Sequence, residues 1–131
     1  MILLDTHAWV WWVNDPQELS LAANRAINTA REEGAVYVSS MSAWEVALLV
    51  AKGRLQLTLD VENWIIRSEA LPFLNFIPVD NRIAVRSTTL PGTLHGDPAD
   101  RIIIASALIL GASIVTKDER IGRYRHVKTV W

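Results

Sequence analysis

Four acidic side chains of this sequence stand at the borders of apolar segments. Asp5 directly follows the apolar run Ile2–Leu4, and Asp118 comes two residues after another apolar run. Glu45 and Asp100 each stand near the beginning of an apolar segment. Oxygen ligands of this kind favour a hard cation such as Mg²⁺ or Mn²⁺. If the four carboxylates meet in the fold, they form a metal site that can face a phosphate group.

Asp5 gives the strongest indication of such a site. Its neighbours Leu3 and Leu4 predict a buried strand, so the carboxylate stands where water is scarce. A buried carboxylate without a partner is costly and tends to take up a proton. Several carboxylates together raise that cost further, unless a cation lies among them. An ion such as Mg²⁺ keeps several waters and takes only one or two carboxylates directly, which leaves room for a phosphate.

Helix caps and turns are the alternative explanation for the other acids. Ser42-x-x-Glu45 fits a capping box, in which the glutamate at the third helical position bonds back to the amide of the cap residue. Asp97 fits an N-cap, and Asp100 in the first turn complements the helix dipole. Asp118 fits a turn after a strand. From the residues alone, both interpretations stay open for each of these acids.

Alternating strand-like and helix-like segments predict an α/β fold. Strands are expected at residues 2–4, 35–39, 76–79 and 113–116, with 127–130 as a fifth strand at the edge. Helices are expected, counting their cap residues, at 6–13, 20–33, 42–52, 60–70, 80–90 and 97–110. The pattern indicates a mostly parallel sheet of four to five strands with helices on both faces. In such a sheet the strand ends and the starts of the following helices share one edge, so the four acids are expected to converge there.

The composition limits the classes of function. The chain has 131 residues, of which 50% are hydrophobic and 21% charged, and this suits a single globular domain over residues 1–131. There is no cysteine, no apolar run long enough to cross a membrane and no signal peptide at the start, so a cytoplasmic location is expected. The formal net charge of −1 gives no global attraction for nucleic acid.

Basic residues crowd the C-terminal segment, where they form either a solvated surface or a patch that faces phosphate: Lys117, Arg120, Arg123, Arg125 and Lys128. The sequence alone leaves both interpretations open.

Four sequence blocks resemble the PIN-domain family, and in particular the VapC-type toxins of toxin–antitoxin pairs. The blocks are "LLDTHAWVWWV", "SSMSAWEVALL", "LPGTLHGDPADRIIIASAL" and "IVTKDERIGRY". They occur in the order and at the spacing of the family over nearly the whole chain. The resemblance implies a three-layer PIN-like domain and a Mg²⁺- or Mn²⁺-dependent endoribonuclease. It also implies a homodimer and a cognate antitoxin protein wrapped over the N-terminal helices.

The resemblance assigns roles to the acids one by one. Asp5, Glu45, Asp100 and Asp118 match the four acids of the family, which implies that they are catalytic and bind the metal. Asp97 belongs to the variant block "H-x-DP-x-DR". We expect Asp97 to act first as a helix cap and second as an outer-shell ligand of the metal.

Other polar side chains near the acids are candidates for contact with substrate. Arg101 follows the third acid and either touches a substrate phosphate, braces the acids or makes an ordinary salt bridge. Thr6 and Thr116 stand beside acids, and their hydroxyls are candidates to orient a carboxylate or a metal-bound water. The alternative is that both side chains only pack in the core or in a turn. His7 and His95 are expected to make local hydrogen bonds and not to catalyse.

The expected reaction is hydrolysis of RNA, in single-stranded or looped regions, to products with 5′-phosphate and 3′-hydroxyl ends. A receiver-like signalling domain that binds Mg²⁺ and accepts a phosphoryl group is one alternative. That class needs a pair of acids after the first strand and an acceptor after the third, whereas this chain has Asp5 alone and Asp80 as a cap. A PIN fold that only binds is a further alternative, against which the complete set of acids argues.

The N-terminal segment carries more apolar bulk than one helix face can bury. Trp11 and Trp12 are adjacent and point about 100° apart on a helix, and Trp9 lies close by. Part of this surface is expected to stay exposed as a partner site for an amphipathic antitoxin helix, which extends a basic side chain into the acidic pocket. The remaining tryptophans, Trp44, Trp64 and Trp131, are expected in the core or in interfaces.

Overall fold

Five parallel strands form the central sheet in a computed structural model that describes residues 1–131. The strands are β1 (Ile2–Leu4), β2 (Val36–Ser39), β3 (Leu74–Ile77), β4 (Ser113–Val115) and β5 (Thr129–Val130), and their order in the sheet is β3-β2-β1-β4-β5. The central strand, β1, pairs with β2 on one side and with β4 on the other. The predicted α/β class with a parallel sheet is confirmed.

Seven α-helices and one short 3₁₀ helix connect the strands. They are α1 (Thr6–Asn14), the 3₁₀ helix (Pro16–Glu18), α2 (Leu21–Glu32), α3 (Ser40–Ala51), α4 (Val61–Glu69), α5 (Asn81–Arg86), α6 (Pro98–Leu110) and α7 (Glu119–Gly122). Four expected caps are present: the side chains of Ser20, Asp60, Asp80 and Asp97 each accept a hydrogen bond from the backbone N–H three residues later. Each bond satisfies a donor that the helix itself leaves unpaired, and so fixes where the helix begins.

Helices cover both faces of the sheet and give the domain three layers. Ile2 and Leu4 of β1 belong to a core that includes residues of α1, α2, α3 and α4, whereas Leu3 belongs to a second core with residues of α5, α6 and α7. Successive side chains of a strand point to opposite faces, so a three-residue apolar strand serves both cores. None of the helices is long and apolar enough to cross a membrane.

The order of the strands reverses between β1 and β4. From β1 the chain moves outward through β2 to β3, then crosses back to β4 and moves outward in the other direction to β5. At such a reversal the loops after the two central strands diverge and leave a crevice at the carboxyl ends of the strands. Asp5 directly follows β1 and Thr116 directly follows β4. The fold therefore places both residues at this crevice.

Several element boundaries differ from those expected from the sequence. β3 begins at Leu74 and not at residue 76, because the side chain of Asn75 bonds to backbone carbonyls of the neighbouring segment, at Gly34 and Val36. α5 ends at Arg86, well before residue 90, because the hydroxyls of residues 87–89 bond back to carbonyls three residues earlier and favour turns over helix. The short helix α7 was not expected, and β5 is confined to its last two expected residues.

Candidate active site

Asp5 is buried at the crevice and has a hydrogen-bond partner on each oxygen. Its side chain is at the N-cap of α1, where Oδ1 accepts from the backbone N–H of Thr6 at 2.8 Å. Its Oδ2 accepts from the hydroxyl of Thr116 at 2.7 Å. Burial raises the pKa of Asp5, and these two hydrogen bonds oppose that rise. The predicted burial of this acid is confirmed, as is the expectation that the hydroxyl of Thr116 orients a carboxylate.

Thr116 also links the first acid to the fourth. Its Oγ1 accepts a hydrogen bond from the backbone N–H of Asp118 at 3.0 Å while its hydroxyl donates to Asp5. One side chain just after β4 therefore sets both the orientation of Asp5 and the path of the chain into Asp118.

Glu45 reaches the site from the second turn of α3, and the expected capping box is wrong. The cap is Ser39, whose hydroxyl accepts from the backbone N–H of Met41 at 3.0 Å, so the helix starts earlier than expected. Ser42 is buried and its Oγ lies 2.9 Å from Oγ1 of Thr6. That same threonine oxygen lies 2.7 Å from Oε1 of Glu45. Thr6 thus orients a carboxylate, as expected, and Ser42 supports Thr6 instead of capping a helix.

The charge state of Glu45 is set by its surroundings. Burial raises the pKa of Glu45 to about 7; the hydrogen bond from Thr6 opposes the rise, and the nearby acids Asp5, Asp100 and Asp97 add to it. A carboxylate with this pKa releases its proton near neutral pH, or earlier when a cation approaches. Such behaviour is common at functional sites.

Asp100 lies in the first turn of α6, held from both sides of the helix start. Asp97 caps the helix, and its Oδ1 accepts from the backbone N–H of Asp100 at 3.1 Å. Nε2 of His95 lies 2.7 Å from Oδ2 of Asp100. Burial raises the pKa of Asp100, the hydrogen bond from His95 opposes this, and the charge of Asp97 adds to it. The cap role of Asp97 and the local hydrogen bond of His95 are both confirmed.

Asp118 is only partly buried, with its side chain 28% exposed, and caps α7. Its Oδ1 accepts from the backbone N–H groups of Arg120 and Ile121 at 2.8 and 3.3 Å. Burial acts to raise the pKa of Asp118, but these two hydrogen bonds and the guanidinium of Arg120 together hold it below its usual value. Asp118 therefore loses its proton at a lower pH than Asp5, Glu45 and Asp100, whose pKa values are raised.

Arg120 reaches over two of the acids, a contact that the sequence did not single out. Its Nη2 lies 3.6 Å from Oδ2 of Asp100 and 3.6 Å from Oδ2 of Asp118. The spacing Asp118-x-Arg120 was the only signal for this contact in the sequence. It lay within the C-terminal basic cluster, for which a solvated surface and a patch facing phosphate were both open. Within that cluster, Arg120 is the residue whose side chain faces the acids.

Arg101 faces away from the acids and fastens the segment before α6. Its Nε donates to the carbonyl of Ser87 at 3.0 Å, and its Nη1 donates to the carbonyls of Leu94 and His95 at 3.4 and 3.5 Å. No acid lies within salt-bridge distance of it. Arg101 therefore neither braces the acids nor forms an ordinary salt bridge. Its contact with substrate stays a prediction. The local hydrogen bond expected of His7 is wrong: its ring makes none, and the exposed side chain instead lies beside Trp11, with ring centroids 5.7 Å apart.

A groove with an apolar lining borders the acids on the α3 side. It has a volume of about 400 Å³ and is lined by Met41, Trp44, Glu45, Leu48, Leu49, Asp97, Pro98 and Ala99. Trp44 is 57% exposed, so it lies outside the core and is available to an interface. Trp9 and Trp64, by contrast, are buried and pack together with ring centroids 4.7 Å apart, as expected of core residues.

The donor set fits a hard cation held partly through water. Asp5, Glu45 and Asp100 all have pKa values raised by burial, so a cation among them relieves the cost of ionising them. No three acidic or histidine side chains surround one point closely enough to be direct ligands of a single ion. Mg²⁺ needs only one or two direct carboxylates and fills its other positions with water. The residues present therefore fit Mg²⁺ or Mn²⁺, with some of the acids bonding to its waters.

The raised pKa of Glu45 predicts how the stability of the metal-free protein depends on pH. An acid with a higher pKa in the folded state stabilises the fold below its unfolded pKa and loses that contribution as the pH rises to the folded value. For Glu45 the interval runs from 4.5 to about 7, and the raised pKa values of Asp5 and Asp100 act in the same direction. In chelator, the melting temperature is expected to fall across this interval.

Thermal melts of the wild type and of Glu45→Gln at several pH values measure this effect. The variant is expected to show a shallower fall, because its side chain no longer ionises. Added Mg²⁺ is expected to raise the melting temperature most at the upper end of the interval, where the carboxylates are ionised. Equal slopes for the two proteins would contradict the raised pKa of Glu45.

Comparisons with known proteins identify the family of the chain and support its fold. A family model for the PIN domain matches residues 2–127. Ribonuclease VapC22 of Mycobacterium tuberculosis (strain ATCC 25618 / H37Rv) is 37% identical over 132 residues, which cover 99% of this chain and 98% of that protein.

Among solved structures, VapBC2 from Rickettsia felis bound to a DNA fragment from their promoter superposes with a TM-score of 0.71 at 17% identity, covering 98% of this chain and 97% of that one. A toxin–antitoxin complex from Klebsiella pneumoniae gives a TM-score of 0.63 at 18% identity, with 97% and 95% covered. These two similarities support the fold, and the sequence match over almost the entire length supports the family. This chain belongs to the PIN-domain family.

Proposed function

We propose that this protein is a Mg²⁺- or Mn²⁺-dependent endoribonuclease and the toxin of a toxin–antitoxin pair. The observation that carries the proposal is that the four acids lie near enough to act on one another: in addition to burial, the charge of Asp118 raises the pKa of Asp5, and Asp5 in turn raises the pKa values of Glu45 and Asp100. The ribonuclease relative at 37% identity supports RNA as the substrate. When bound, the divalent ion supplies a water of lowered pKa and positive charge for the phosphate.

The protein's own residues prepare the site for that ion. Thr116 orients Asp5, Thr6 orients Glu45, and His95 orients Asp100. Side chains that are fixed before the substrate arrives need little rearrangement at the moment of reaction. Asp118 and Asp97 add negative charge near the other acids and would hold the ion through water.

Incubation of the purified protein with total cellular RNA tests the proposal directly. With Mn²⁺ or Mg²⁺ we expect cleavage at a limited set of sites, with 5′-phosphate and 3′-hydroxyl ends, because water attacks without help from the 2′-hydroxyl. A chelator is expected to abolish cleavage, and re-addition of the ion to restore it. Mapping of the cut sites identifies the RNA. Cleavage that persists in chelator and leaves cyclic phosphates would contradict the proposal.

The same measurements decide between the nuclease and the other functions. A receiver domain needs an acceptor acid after its third strand, but here Asp80 follows β3 and accepts a hydrogen bond from the N–H of Ile83 as the cap of α5. A module that only binds would hold RNA without cutting it. Cleavage that depends on the ion therefore supports the nuclease against both alternatives.

A helix of a cognate antitoxin is the proposed partner of the N-terminal half. A groove of about 280 Å³, lined by Trp12, Val13, Arg31, Leu71 and Phe73, lies beside α1. Its open, mostly apolar lining suits the apolar face of an amphipathic helix. The solved neighbours that are toxin–antitoxin complexes support a partner of this kind. Expression of the protein alone is expected to slow growth, and co-expression with the partner to restore it.

A homodimer in the cytoplasm completes the proposal. The exposed face of α3 with Met41, Trp44 and Leu48 is the candidate contact between two copies, since it pairs an exposed tryptophan with an apolar groove. The mass of the protein in solution, with and without the Trp44→Ala substitution, measures the association.

A further inference from the structure

Arg120 differs from its basic neighbours in what it contacts. Nζ of Lys117 lies over the ring of Trp11 at 5.7 Å from the centroid. Arg123 pairs with Glu119 at 3.1 Å on the exposed side of α7. Arg120 alone among the basic side chains of this segment reaches the carboxylates of Asp100 and Asp118.

The contact of Arg120 with the acids is loose. Both N–O distances are 3.6 Å, longer than a good hydrogen bond, and the side chain of Arg120 is 58% exposed. Pairs this open to water contribute little stability, because solvent screens them and the long side chain loses freedom. The backbone N–H of Arg120 is nevertheless fixed by the cap at Asp118. The residue therefore has a fixed base and a guanidinium that can leave the acids at small cost.

A divalent cation and this guanidinium seek the same negative charge. Asp100 is one of the acids proposed to hold the ion, and its Oδ2 lies 3.6 Å from Nη2 of Arg120. When the ion neutralises the carboxylates, the attraction that holds Arg120 over them weakens. A guanidinium freed beside Asp100 and Asp118 would be available to an RNA phosphate that approaches these acids. The planar donors of arginine suit two oxygens of one phosphate.

We propose that Arg120 exchanges partners during the reaction. It pairs with Asp100 and Asp118 in the metal-free protein, and it binds a non-bridging phosphate oxygen of the RNA once a divalent cation occupies the acids. This inference rests on the proposed nuclease function. Arg120 is then both a competitor of the metal and a contact for the substrate.

The exchange predicts effects of opposite sign for one substitution. In Arg120→Gln, the acids lose a competing cation, so the affinity for Mn²⁺ is expected to rise about two- to fivefold, as removal of an exposed ion pair implies. The same variant loses a charged hydrogen bond to phosphate, so KM for a single-stranded RNA is expected to rise about tenfold or more. If Arg120 had only a structural role, its substitution would weaken the binding of Mn²⁺ and the binding of RNA alike.

Arg123→Gln is the matched control. It removes the same charge from the same short helix, but its partner Glu119 lies outside the site. Mn²⁺ binding is measured by calorimetry on the full chain without RNA, and KM and kcat are measured separately with a defined single-stranded RNA. Arg120→Lys, which keeps the charge without the planar fork, is expected to restore metal affinity to the wild-type value and KM only in part.

The two halves of the proposal are decided separately. Mn²⁺ affinity that is unchanged or lower in Arg120→Gln than in Arg123→Gln would overturn the pairing with the acids. Equal KM values for these two variants would overturn the phosphate contact. If the wild-type chain cleaves no RNA, the proposed function and the phosphate contact fail together, while calorimetry still decides the competition with the metal.

Discussion

Asp5→Asn and Asp100→Asn are each expected to lower the rate of RNA cleavage by about a hundredfold or more, beyond the loss typical of residues that only support a metal ligand. Both substitutions keep the shape of the side chain and remove the negative charge that attracts the ion. Because the buried charge disappears, the metal-free variants also melt at a higher temperature than the wild type near neutral pH, where the raised pKa values make ionisation costly.

The fold of Asp5→Asn survives because asparagine serves the same local roles. Asparagine is as good an N-cap as aspartate, so it still accepts from the N–H of Thr6 at the start of α1. Its amide can donate to Thr116 where the carboxylate accepted. Cleavage assays and thermal melts on the same preparations separate chemistry from stability. Undiminished cleavage by both variants with Mn²⁺ present would refute the assignment of these acids.

Trp9 and Trp12 lie on the same helix, and truncating them is expected to affect different properties. Trp9 is fully buried, with ring centroids 4.7 Å from Trp64 and 5.5 Å from Phe76. Trp9→Ala is therefore expected to lower the free energy of unfolding by about 3–5 kcal/mol. Trp12 is half-buried, stacks at 5.5 Å from Phe73 and lines the groove beside α1. Trp12→Ala is expected to cost the fold less and to weaken the antitoxin complex about thirtyfold, as loss of an interface anchor worth about 2 kcal/mol implies.

Chemical denaturation of the lone chain and the affinity of the purified complex measure these two effects. Trp9→Phe is the matched control for the core. It keeps most of the apolar area and removes the buried indole N–H, which has no hydrogen-bond partner, so it is expected to cost far less than Trp9→Ala. Trp11 is a less specific probe, because it also contacts Trp131 at 5.7 Å. Full retention of the complex by Trp12→Ala would place the partner elsewhere.

The class of fold follows from local patterns that tertiary structure does not override. Three local signals each define an element without help from distant residues. The apolar run before Asp5 defines β1. Asp97 with the proline after it defines the start of α6, and Gly111, with a left-handed φ of 71°, defines its end. Boundaries were wrong where side chains act across the sequence. Asn75 has poor strand propensity, yet it is accommodated because its amide bonds to the neighbouring segment 39 or more residues away.

The sequence indicated the acids and the Thr6 and Thr116 hydroxyls beside two of them, but not the roles of Ser42 and Arg120. Parallel topology alone brings Asp5 and Asp118 to one edge, which a sequence can indicate. Ser42 fitted a capping box equally well, and only the earlier cap at Ser39 shows that it faces Thr6. The direction of Arg120 depends on a four-residue helix, whose pattern is too short to predict. The direction of a long side chain on so short a helix therefore does not follow from the sequence.

The hydrogen bond between Thr116 and Asp5 spans 111 residues, and this separation has a consequence for the chain while it is being made. Synthesis delivers β1, α1 and α2 first, whereas β4, Asp118 and Arg120 leave the ribosome only towards the end. Pairings between distant segments also form late in folding. A nascent chain therefore lacks half of its acids, and the central strand lacks one neighbour, for most of translation. During that interval the helices to which the antitoxin is proposed to bind are already exposed. The antitoxin can therefore bind before the nuclease site is complete.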